Sequence, residues 1–364
     1  MQQLELIFNE HYISFALHNK LVQILYYVGA FEENQIEKYS QESQKGKVCR
    51  KDLPYLSEVI KKANCDSISD KINSKNQCDS YVILNEFYFC DIHRTHDWFI
   101  YTTQERLFVR NGERWDAGIP PWMKEYEGPL MKLVMEMGLT AEIKPSHITY
   151  DAAAVFGATA LEIEKRILYL QEKLLAQELV IRNRIYLLTG ERYVNTTESG
   201  LKRDKGAAYL EDLSYKINKD LCDITEADIM QDLGHSILER NFDPSSIVIV
   251  NALKSENRGR PTTVTTLQKF IELCNEEDKN ILFVSRAPNI PPQREDTIKI
   301  MSMFNPHVKY EVIGNGMDIT KIDNNASIVH TVLMPLAGSF YSGYDRVSDN
   351  LEYRFNKEVL HEEL

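Results

Sequence analysis

Basic and hydroxyl-bearing residues gather where four apolar, strand-like runs end. Gly157 and Thr159 follow Ala152 to Phe156. Thr189, Gly190, Glu191 and Arg192 follow Ile185 to Leu188. Asn251, Lys254, Arg258 and Arg260 follow Ile247 to Val250 and lead to Thr262 and Thr263 at a helix start. Ser285, Arg286 and Asn289 follow Asn280 to Val284, with Arg294 just inside the next helix. Guanidinium groups bind phosphate or carboxylate bidentately. Helix N-termini add N–H donors and a positive dipole end. A single loop Arg is most often a solvated surface charge. Arg258, Arg260, Arg286 and Arg294 on two strand ends make convergence on one anion the competing reading. Glu191 or Glu226 is the acid/base candidate, against the plainer readings of a surface carboxylate and a first-turn charge.

The elements that position these residues are legible as an alternation. Ala152 to Phe156 has no polar alternation, as expected for a strand buried on both faces of a parallel sheet. Gly157 permits a sharp turn or the close approach of a ligand, and Thr159 can cap the following helix. Leu161, Ile163, Ile167, Leu168, Leu170 and Leu174 then form a helical stripe. Downstream, residues 195 to 223 read as a polar insertion with some helix at Ala207 to Ile217. Thr225 caps a helix running from Glu226 to about Glu239. Helices are expected over Thr262 to Cys274 and Gln293 to Phe304, the latter after a loop from Ser285 to Pro292. Further strands are expected at Val308 to Ile313 and Ile328 to Leu333. Strands separated by helices pair in parallel. The expectation is an α/β fold: a doubly wound, mostly parallel, Rossmann-like sheet of five or six strands, with ligands outside the strands' carboxyl ends.

That domain is expected over residues 146 to 364. Residues 1 to 145 read as an N-terminal α+β domain or helical appendage. It has helical spacing over about the first 40 residues, a polar stretch at 40 to 80, and aromatic-rich strands at Tyr81 to Phe89 and Trp98 to Val109. A length of 364 residues is compatible with two domains. The net charge of −12 argues against a nucleic-acid binder or an anionic membrane surface. No apolar run is long enough to span a membrane, and Met1 to Glu10 do not read as a secretory signal, so a cytoplasmic protein is expected. The 6 cysteines are expected to be reduced thiols. Cys90, His93 and His96 form a metal-like group without a second dyad, so no metal site is assigned. His235 and Glu239 read as a one-turn surface pair. There is no Gly-x-Gly-x-x-Gly, Walker loop or Gly-x-Ser-x-Gly.

From about Asp151 to Ile313 the order of elements resembles the YdcF/SanA/ElyC-like family. The matching residues are Val155-Phe-Gly157 with Arg166 on the next helix, Thr189-Gly190-Glu191, Glu226-Ala227-Asp228-Ile229-Met230, Pro261 to Thr266, and Ile281 to Ser285 with Arg294. The sequence departs from the family pattern at Glu191, at Leu267-Gln268, and at Asn289, where the family has His. The resemblance implies a Rossmann-like domain for a nucleotide-like ligand, such as a nucleotide or S-adenosylmethionine. If the chain is an enzyme, transfer or hydrolysis at a phosphate or sulfonium group is the implied class. The alternative is a non-catalytic interaction protein whose sheet is a scaffold and whose N-terminal domain binds a protein partner. The Asn/Lys/Ile-rich composition would suit a bacterial effector delivered into a host cell.

Overall fold

The computed structural model describes residues 123–194, 206–254 and 261–318. The strands expected in the first 122 residues, Ile328 to Leu333, Cys90, His93 and His96 all lie outside them. Helix α1 (Met123–Glu136) belongs to a different compact unit from the sheet.

The sheet comprises β1 (Thr149–Phe156), β2 (Val180–Gly190), β3 (Ile247–Ala252), β4 (Asn280–Arg286) and β5 (Lys309–Asn315). All neighbouring pairs are parallel, in the order β3-β2-β1-β4-β5. The chain therefore starts in the middle, builds outward to β3, and returns to build the other side from β4. β1 and β4 flank the point where the order reverses, which is where open α/β sheets leave a crevice at their carboxyl ends.

β1 is central, and Ala152 to Phe156 are all buried, so its side chains are apolar on both faces. Helices α2 (Ala160–Leu175), α3 (Ala207–Ile217) and α4 (Glu226–Leu238) enclose one core with Val155, Leu187, Leu282 and Val284. Within α2 the buried apolar stripe includes Ile163, Ile167 and Leu170, whereas Leu168 is exposed. Helices α5 (Thr263–Leu273) and α6 (Ile290–Phe304) enclose the other core. There Phe283 stacks on Phe156, with ring centroids 5.7 Å apart, and meets Phe270 edge-on at 5.5 Å.

The helix starts follow from local chemistry. Thr225 caps α4 in a reciprocal box with Asp228, and Thr262 caps α5 in the same way with Thr265. Thr159 stands at the N-cap of α2, but its side chain makes no capping hydrogen bond. α6 starts three residues earlier than its sequence suggests. Pro291 and Pro292 occupy its first turn, where a fixed φ suits the helix and a missing N–H costs nothing. Before it, Ala287-Pro288 is cis, and the Asn289 N–H donates to Arg286 O at 2.8 Å.

Candidate functional site: a charged cluster at the carboxyl edge of the sheet

β1 ends at Phe156, and its last carbonyls are captured by the helix that follows. Arg166, two turns into α2, reaches back so that Nη1 donates to Phe156 O at 2.8 Å and Gly157 O at 2.7 Å. The side chain is 1% exposed. Burial lowers its pKa to about 10, against the pull of Glu162 and Glu226, so it remains a cation at neutral pH. Its Nε is buried and has no hydrogen-bond partner among the described residues.

Two ion pairs flank this buried guanidinium. At the end of β4, Arg286 Nη1 donates to both Glu162 oxygens, at 2.6 and 2.7 Å. Glu162 lies in the first turn of α2, so the pair links the helix that follows β1 to the end of β4. Burial alone would raise the Glu162 pKa, but Arg286, Lys165 and Arg166 together hold it below the ordinary range. Arg286 Nε is buried and unpartnered.

On the other side, Arg192 Nε donates to Glu226 Oε2 at 2.9 Å, and its Nη2 donates to Ala158 O at 3.2 Å. Thr189 Oγ1 donates to Glu226 Oε1 at 3.4 Å. The capping box fixes the first turn of α4, and the Glu226 N–H donates to Arg192 O at 2.8 Å. Burial raises the Glu226 pKa, although Arg192, Arg166 and Thr189 oppose it. This carboxyl group is the cluster's candidate for proton exchange.

The glycines at the strand ends admit the protein's own groups. A Cβ on Gly157 would lie 2.0 Å from Glu226 Oε1 and 2.7 Å from Leu188 O. At Gly190 a Cβ would lie 2.8 Å from Pro261 Cβ. The close approach expected at Gly157 is thus made by the Glu226 carboxylate.

The other expected site residues disperse along the same edge. Glu191 accepts from the Lys254 N–H at 3.0 Å and so ties down the segment after β3. Thr262 is exposed and engaged in its cap, and Thr263 opens α5. Ser285 Oγ donates to the Gln293 side chain. Asn289 is the N-cap of α6 without a side-chain bond, and Arg294 is half-buried one turn further on. Pro291 and Pro292 leave that helix start poor in N–H donors, which weakens it as an anion site. Arg258 and Arg260 lie outside the described residues. His235 and Glu239 pair with each other on α4.

The cluster therefore joins Thr189, Arg192, Glu226, Arg286 and Gly157 from the expected strand-end residues to Arg166 and Glu162. The last two have a sequence signal, since they stand four apart at the start of α2. Among the described residues no group of three or more His, Cys, Asp or Glu could hold a metal ion. No described helix is long and apolar enough to cross a membrane. Chemically, the cluster sets the guanidiniums of Arg166, Arg192 and Arg286 against the carboxylates of Glu162 and Glu226, an excess of positive charge in an acidic chain. No family model, curated protein or solved structure matches the chain.

Proposed function

We propose that the α/β unit binds a small anionic, nucleotide-like ligand at the carboxyl edge of its sheet, in the crevice between β1 and β4. The observation that carries this reading is the gathering of Arg166, Arg192 and Arg286 beside that crevice. The nucleotide or S-adenosylmethionine class comes from the resemblance to the YdcF/SanA/ElyC-like family. If the ligand reacts, transfer or hydrolysis at a phosphate or sulfonium group fits best. Glu226 would then exchange the proton, and the guanidiniums would stabilise developing negative charge. Glu191, the other acid/base candidate, is occupied by the Lys254 N–H.

A thermal-shift screen of the full chain against nucleotides, S-adenosylmethionine and sugar phosphates tests the reading. A ligand at about 100 times its Kd stabilises by roughly 2.7 kcal/mol. A shift from an anionic member of the panel that is lost in Arg286→Gln supports it, and silence across the panel overturns it. One observation favours the scaffold alternative: Glu162 and Glu226 already pair with Arg286 and Arg192. On that reading the cluster only braces the sheet edge, and the N-terminal half binds a protein.

A further inference from the structure

The Glu162–Arg286 pair has an unusual construction for a structural brace. Its partners come from α2 and β4, 124 residues apart in sequence, and they meet across the reversal of strand order. A carboxylate can engage a guanidinium through two parallel bonds from two nitrogens. Here both Glu162 oxygens take a single nitrogen, Nη1. Among the described residues Arg286 Nε is left buried without an acceptor, and Arg166 Nε is in the same condition. A buried, unsatisfied donor is costly, so the carboxylate serves this pair of guanidiniums incompletely. A tetrahedral group with three free oxygens has the valence to serve both.

We propose that Glu162 is a built-in occupant of the anion site, holding on Arg286 the place that a phosphate group of the ligand takes. The inference rests on the reading above and narrows it to phosphate-bearing ligands. A phosphate must displace a carboxylate already settled on its Arg, and a dianion competes for that Arg better than a monoanion does. Phosphate entry breaks the Glu162–Arg286 pair, and Glu162 keeps its partner Lys165, whose ammonium is 3.4 Å away and half-exposed. Selectivity against small carboxylates is thereby built into the pair.

The test is calorimetric titration of the full chain, wild type and Glu162→Gln, with AMP, inorganic phosphate and adenosine. The Gln side chain keeps the shape and one acceptor oxygen but removes the competing charge. AMP and phosphate should bind Glu162→Gln about tenfold tighter, as when the binding-competent fraction rises from about one in ten to near unity. Neutral adenosine should be unaffected. Glu162→Asp keeps the charge but shortens the reach to Arg286. It should tighten AMP binding by a smaller factor, which provides an independent test if the Gln variant does not fold. If wild type and both variants bind AMP equally, Glu162 does not occupy the site, although the ligand-binding reading survives. If none of them binds AMP or phosphate, the inference falls, and the site reading falls with it for phosphate ligands.

Discussion

Replacing Gly157 with alanine tests whether the Glu226 carboxylate lies against the end of β1. The new methyl carbon would lie 2.0 Å from Glu226 Oε1 and 2.7 Å from the backbone oxygen of Leu188. Both are inside van der Waals contact, and neither neighbour can retreat cheaply. Leu188 O belongs to β2, which pairs with β1 through Phe156. Glu226 is a long side chain, but its retreat would abandon Arg192 at 2.9 Å in surroundings where the two side chains are only 11% and 17% exposed. Overpacking a well-filled site costs about 1 to 3 kcal/mol. Losing one partner of a buried pair costs about 3 to 5 kcal/mol, an upper bound here because the carboxylate is displaced and not deleted. The expected loss is therefore about 2 to 4 kcal/mol, on the order of 10 °C in Tm for a unit of this size.

Urea unfolding of the full chain measures the loss, and a double-mutant cycle locates it. In a Glu226→Ala background the Oε1 clash is gone and only the Leu188 contact remains, so Gly157→Ala should cost less by about 1 to 2 kcal/mol. Gly190→Ala provides the scale, since its Cβ would meet the Pro261 ring, at 2.8 Å. A cost below about 0.5 kcal/mol for Gly157→Ala, the level of an ordinary surface change, would refute the reasoning. An undiminished cost in the Glu226→Ala background would locate the strain in the backbone and detach Glu226 from β1.

Two further outcomes follow from the same cluster. Arg166→Met should destabilise the chain by about 3 to 5 kcal/mol, because it strips Phe156 O and Gly157 O of their donor and a buried cation from between Glu162 and Glu226. Arg166→Lys should recover only part of this in urea unfolding, and a loss below about 1 kcal/mol for Arg166→Met would contradict the buried role. Stability against pH should separate the two carboxyl groups. The pKa of Glu226 in the folded chain is raised above the usual 4.5, so its stabilising proton is fully present below 4.5 and lost as pH rises through the raised value. Glu162 is held below 4.5, so its contribution is present above 4.5 and lost as pH falls through its lowered value. Above pH 4.5 the wild type should thus lose stability relative to Glu226→Gln as pH rises through the raised value, and parallel curves would remove Glu226 as the titrating group.

The fold was legible where a single segment carries its own reason. Ala152 to Phe156 is apolar throughout because both faces of β1 are covered, and that burial leaves an unbroken run in the sequence. Thr225 and Thr262 announce α4 and α5 because capping is a contact between residues three apart. The start of α6 was harder to read, since Pro291 and Pro292 mark a break in most contexts and are compatible with a helix only in its first turn. The site was legible to the same depth. Position along the sheet edge follows from strand and helix order, so the ends of β1, β2 and β4 could be named in advance.

What each edge residue touches depends on register between strands distant in sequence, and local spacing does not encode it. Arg286 was recognisable as an Arg at a strand end. Its choice of Glu162 requires β4 to lie beside β1 with Ala152 opposite Ile281. Gly157 was recognisable as a place of close approach, but the approaching group is a carboxylate 69 residues later, delivered by the cap of α4. Reading charge from sequence alone therefore overstates a strand-end Arg as a free anion binder. In the folded chain its partner is a carboxylate of its own protein, set opposite it by the packing of α2 against the end of β4.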